Sequence, residues 1–217
     1  MTHKLDTPIQ NLIDEIIAAG DEVGLQVAAY LDGELIVDVW AGIADETTGV
    51  TAEMMTDWDA MCTAIASHEP LWPPNVTNAE TMNRPDVRRP CIPGGGGIMN
   101  ARAIARHYAM LAGRGELDGV RMLSAKQIDI ARALQVDTVD LVGGDVARRA
   151  LGYGLGGFPE EFTGQEFGHG GLGGSQGLAD IRRRLSFGLT KNLLVSNTNP
   201  KQNTAYRVAK VLLQQIG

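Results

Sequence analysis

Cysteine is scarce in this chain. Only Cys62 and Cys91 occur among 217 residues. Their spacing fits neither a metal-ligand pattern nor a disulfide framework, so reduced thiols are expected. Aromatic residues are also few, at 5%, and basic residues are outnumbered, with 19 Lys and Arg against 26 Asp and Glu. A net charge of −7 argues against a nucleic-acid partner. The one basic run, Arg182-Arg183-Arg184, reads as a solvated turn between strands. No apolar run reaches the roughly 18 residues of a membrane span. The opening "MTHKLDTPIQ" lacks the apolar core of a signal peptide, so a cytoplasmic protein without membrane attachment is expected. His68 and His107 have no second ligand at metal spacing, and no metal or other cofactor is expected.

Glycine, by contrast, is abundant, at 27 residues, and 44% of the chain is hydrophobic. That suits one well-packed core with many close backbone approaches. "TPIQNLIDEIIAAGDEVG" places Ile9, Leu12, Ile13, Ile16 and Ile17 at helical spacing, with Thr7 as the expected cap. "LQVAAYLDGELIVDVWAGIAD" reads as a hairpin about Asp32-Gly33. In its second strand Leu35, Val37 and Val39 alternate with Ile36, Asp38 and Trp40. A helix capped by Asp57 is expected before Pro70, followed by an irregular stretch to "PGGGG" at 93–97. Those four glycines lack the lysine of a phosphate-binding loop. Helices capped by Asn100 and Ser124 follow, then strands in "ALGYGLGGF", "EFGHGGLGG", "SQGLADI" and "LSFGLTKNLLVSNTN", and a final helix in "KQNTAYRVAKVLLQQIG". This order predicts an α+β fold: an antiparallel sheet flanked by N- and C-terminal helices, in one domain over 1–217.

The pieces "QVAAYLDGELIVDVWAGIAD", "DWDAMCTAIASHEPLWPP", "RRPCIPGGGGIMNARAIARHYAMLAGRGELDGVRMLS" and "FGHGGLGGSQGLADIRRRLSFGLTKN" resemble, in this order, the serine β-lactamase-like superfamily. The nearest branch is that of class C β-lactamases and family VIII esterases. The resemblance implies a helical region inserted after the first strands, here much reduced, with residues 46–99 as its remnant. It also implies a cleft where three elements meet: Ser-x-x-Lys with the nucleophile, Tyr-x-Asn with a general base, and Lys-Thr-Gly or His-x-Gly on an edge strand. His169-Gly170-Gly171 matches the last form.

The other two motifs are missing. Three residues after Ser67, Ser124, Ser175, Ser186 and Ser196 stand Pro70, Gln127, Leu178, Leu189 and Asn199. None is the lysine that would share a helical face with the serine and ease its deprotonation. Two residues after Tyr30, Tyr108, Tyr153 and Tyr206 stand Asp32, Met110, Leu155 and Val208. His169 is therefore the catalytic candidate, since histidine readily serves as acid, base or oxyanion partner. Gly170, Gly171, Ser175 and Tyr153 are the substrate-binding candidates. Three readings follow: an atypical enzyme acting on a small ester-, amide- or polyketide-like ligand; a non-catalytic pseudoenzyme serving as a binding or assembly module; or a hydrolase completed by a partner chain. Loss of a helical lobe would uncover apolar surface, so a homo-oligomer is expected.

Overall fold

A computed structural model describes residues 3, 5–45, 50–51, 99–140, 146–156, 165–171, 173–193 and 203–217. The expected helix at Asp57, "PGGGG", Cys62, Cys91, His68, Trp58, Trp72 and nearly all of the 46–99 remnant lie outside these residues.

The described chain runs α1 (Asp6–Ala18), β1 (Gly24–Leu31), β2 (Glu34–Asp45), β3 (Val50–Thr51), α2 (Ala101–Ala112), β4 (Glu116–Leu117), β5 (Val120–Arg121), α3 (Ala125–Ala131), β6 (Val136–Val139), β7 (Val146–Arg149), β8 (Gly154–Leu155), β9 (Glu166–Gly170), β10 (Gln176–Asp180), β11 (Leu185–Lys191) and α4 (Thr204–Ile216). Nine strands form one sheet in the order β3-β2-β1-β11-β10-β9-β8-β7-β6, with β4 and β5 as a separate hairpin. The described pairings are antiparallel, as the α+β reading requires.

One face of the sheet is covered by the two terminal helices. Ile9, Ile13 and Ile16 of α1 and Val208, Leu212 and Leu213 of α4 pack on Val27, Val37, Val39, Leu178, Leu185, Phe187 and Leu189. The opposite face carries α2 and α3. There Tyr108, Leu111 and Ile128 pack on Phe167 and Ala179, while Ala101, Ala105 and Ala109 pack on Ala28 and Tyr30. Ser124 caps α3 in a reciprocal capping box with Gln127. Asn100 caps α2 by accepting from the Ala103 N–H at 2.8 Å.

A single row of the sheet decides how near α2 can come. Ala28 pairs with Gly188, Gly188 with Gly177, and Gly177 with His169. A Cβ on Gly188 would fall 2.5 Å from the Ala101 carbonyl oxygen and 2.8 Å from the Ala105 nitrogen. A Cβ on Gly177 would strike the Tyr108 ring. The row is thus a trough of missing side chains that the helix fills. Ser186 Oγ ties it down by donating to the Ala105 carbonyl at 2.8 Å, and Arg102 pairs with Asp38 at the row's far end.

Three local expectations change. Thr7 does not cap α1; the helix begins at Asp6 after Leu5, without a side-chain cap. Asp6 instead accepts from the His3 and Asp38 N–H groups, which fastens the helix start to β2. The alternation in β2 breaks because the register shifts between Ala29 and Tyr30. Leu35 therefore packs beside Tyr30 on the α2 face while Ile36 packs on the α1 face. The hairpin of β6 and β7 was not foreseen. Its residues are largely exposed, so it lacks the one-sided alternation that marks a strand.

Two outcomes are expected. Gly188→Ala forces α2 backbone away from the sheet and should cost about 1–3 kcal/mol, seen as a lower urea midpoint with unchanged slope. Burial, with Tyr153 nearby, pushes the Tyr108 phenol up from 10.0 to about 12. The folded state then holds this proton after the unfolded chain has released it. The resulting stability is present below pH 10 and lost as pH rises through about 12. An ultraviolet tyrosinate titration should show a late phase that Tyr108→Phe removes.

Candidate functional site

The site is built on the turn between β9 and β10. The Gly171 N–H donates to the Ser175 carbonyl at 2.7 Å, and the Gly174 N–H donates to the Gly171 carbonyl at 2.9 Å. Gly174 has φ +92°, the left-handed residue that closes a three-residue hairpin connection. Peptide groups alternate in direction along a strand. Since the Gly171 N–H faces β10, the N–H and C=O of Gly170 face the other way. On that side β8 pairs only with Phe167 and Gly168. No described strand reaches Gly170, so among the described residues its peptide offers an unpaired donor and acceptor on that side. An extended ligand can pair there, and a developing oxyanion can be held there.

Side chains alternate as well. His169 shares the α2 face with Phe167, and Gly177 is its partner across the ladder. His169, Gly170 and Gly171 are exposed. Ser175 is half-buried on the same face as His169; a Cβ on Gly171 would touch its Cβ at 3.9 Å. Among the described residues no hydrogen bond joins Ser175 to His169, and nothing prepares Ser175 as a nucleophile. Tyr153 immediately precedes β8, and the pairing of Gly154 with Gly168 puts it beside His169. It is half-buried.

Tyr153 also belongs to a series of edge-to-face rings that runs from His107 to Phe167. Its centroid lies 5.2 Å from Phe167 and 6.4 Å from Tyr108, which lies 5.5 Å from His107. Burial raises the Tyr153 phenol and lowers the His107 imidazole. The Tyr108 ring lies over Gly177, the ladder partner of His169, so it covers the candidate strand pair from above. The nearby face holds Gln26, whose Oε1 accepts from the Ala101 N–H at 3.4 Å, and its ladder partner Thr190. The buried Thr190 hydroxyl has no partner among the described residues. Neither residue stood out in the sequence, because only the pairing of β1 with β11 brings them under α2.

Other candidates fall away from this place. The Arg182 and Arg183 N–H groups donate to Asp180 at 2.8 and 3.2 Å, and Arg184 pairs with Asp32 at 2.7 Å; the basic run is a turn. Trp40 is half-buried. A hollow of about 460 Å³ opens at the opposite end of the strands, lined by Asp32, Glu34, Glu116, Asp118, Arg121 and Arg184. Its arginines pair with its own carboxylates at exposed positions, and it lies apart from His169. No group of three metal-ligating side chains occurs among the described residues. No described helix is long and apolar enough to cross a membrane.

Comparison with known proteins agrees with this architecture. Residues 52–212 match the Beta-lactamase family. The esterase/beta-lactamase LipL of Mycobacterium tuberculosis is 36% identical over 107 residues, which make up 48% of this chain and 24% of that protein. The chain thus spans about a quarter of the length of this curated relative. The crystal structure of a family VIII carboxylesterase superposes with a TM-score of 0.66 at 18% identity, over 97% of this chain and 98% of the other. A penicillin-binding protein homolog from Caulobacter crescentus superposes with a TM-score of 0.69 at 18% identity, over 94% of this chain and 96% of the other. These two likenesses speak for the fold alone. The family match extends over well more than half of the residues, and on that ground the chain belongs to the Beta-lactamase family.

Proposed function

We propose that this chain binds a small ester-, amide- or polyketide-like molecule along the outer edge of β9 and acts on it by acid–base and positioning catalysis, without a covalent serine intermediate. The observation that carries this reading is the open Gly170 peptide beside the exposed His169, in a sequence without Ser-x-x-Lys. The ligand carbonyl would accept from the Gly170 N–H, and its flank would lie against Tyr153. His169 would move the proton. Orientation and a directed hydrogen bond contribute rate enhancement even where no nucleophile is present.

The test is turnover of a chromogenic cephalosporin and a short-chain nitrophenyl ester, with intact-protein mass recorded during reaction. Turnover without a covalent adduct is expected. His169→Ala should lower the rate about 10²–10⁴-fold, and added imidazole should restore part of it. An adduct that disappears in Ser175→Ala would overturn the reading and make Ser175 a nucleophile.

A second reading, a non-catalytic assembly module, draws on a different observation. The β6–β7 hairpin exposes Val139 and Val146 at 51% and 68%, opposite one another in the ladder, and β6 ends the sheet. An open, apolar edge strand favours pairing with a second copy. Sedimentation velocity at micromolar concentration should give a homo-oligomer, and Val139→Lys with Val146→Lys should dissociate it. A wild-type monomer would count against this reading.

A further inference from the structure

Beneath the candidate turn, on the face away from α2, lies a buried ion pair. Lys191, the last residue of β11, donates to Glu22 Oε1 at 2.6 Å, with side-chain exposures of 6% and 1%. Thr204, the first residue of α4, donates to the same oxygen at 2.5 Å. Glu22 belongs to the link between α1 and β1. One carboxylate oxygen thus joins three segments that are remote in sequence. Glu22 Oε2 is buried and has no partner among the described residues. A buried pair left partly unsatisfied is a weak source of stability, since desolvation offsets most of the attraction. What such a pair does well is hold a geometry.

The held object is the turn. A Cβ on Gly174 would fall 2.8 Å from Lys191 Cε and 3.3 Å from Lys191 Nζ. The lysine stem therefore lies directly against the left-handed residue of the β9–β10 connection. The end of a lysine is ordinarily free to swing aside, but here Glu22 fixes it. Gly174 in turn donates to Gly171, whose N–H is tied to Ser175.

We infer that Lys191, held by Glu22, whose carboxylate Thr204 fastens in turn, is a positioning residue for the His169–Gly174 turn, setting the aim of the Gly170 peptide from the opposite side of the sheet. Lys191 touches no ligand. The inference rests on the proposed function only in naming what the turn presents.

The test is amide hydrogen exchange on the full chain, read at single residues by NMR. The double variant Glu22→Gln with Lys191→Met keeps the volumes and removes both charges together. The Gly171 and Gly174 amides should exchange about tenfold faster, while Leu178 and Phe187 in the strand centres stay within about twofold. Unchanged exchange at both glycines overturns the inference, and so does an equal rise at Leu178 and Phe187. Arg207→Met removes the exposed pair between Arg207 and Asp21, which joins the same helix and link. It should leave both glycine amides unchanged; an equal rise there also overturns the inference. If the double variant does not fold, Thr204→Val is judged at the same amides by the same criteria. Titrating butyramide into the wild type probes the ligand edge separately. A missing shift at the Gly170 amide would count against the proposed function and leave the exchange result standing.

Discussion

The close approach of α2 to the sheet is the constraint on which the rest of the molecule depends. A helix usually rests on side chains, but here it rests on their absence at Gly188 and Gly177. Nearness lets Ser186 reach the Ala105 carbonyl and lets the Tyr108 ring lie over the ladder beside His169. The row that admits the helix ends at His169. The same geometry that packs the core therefore delimits the site: helix over Gly177, open surface at His169.

The turn carrying the site is held from both faces. The Tyr108 ring lies over Gly177, the β10 partner of His169, from the α2 side. Lys191 lies against Gly174 from the side of α1 and α4. The two supports differ in kind. The ring contributes apolar burial, which adds stability roughly in proportion to area. The ion pair contributes direction, at a desolvation cost. A peptide that is to accept a ligand needs the second kind of support where no described strand pairs beside it to keep it straight.

Membership in the Beta-lactamase family does not settle chemistry here. The family resemblance implies a serine nucleophile with a lysine one helical turn away, and the sequence has no such pair. The proposed function needs only a strand, a histidine and an aromatic flank, each of which depends on its own local geometry.

Much of this was legible in residue order. Isoleucines at helical spacing marked α1, Asp32-Gly33 marked the first hairpin, Ser124 and Asn100 marked their helices, and His169-Gly170-Gly171 marked β9, which lies between β10 and β8 and not at the sheet edge that the motif led us to expect. These features are local: caps, turns and periodicities act within a few residues. The bulge that puts Leu35 and Ile36 on opposite faces was not legible, nor was the trough of Gly188 and Gly177, nor the meeting of Glu22, Lys191 and Thr204. Each depends on the pairing of β1 with β11, or on elements packed against that pair, far apart along the chain. The sequence by itself determined most of the helices and strands, though not the β4–β5 and β6–β7 hairpins, and that it holds no Ser-x-x-Lys. Only the tertiary structure decided which side chains share a face and which peptide is left open, because register is a relation between strands and no single strand contains it.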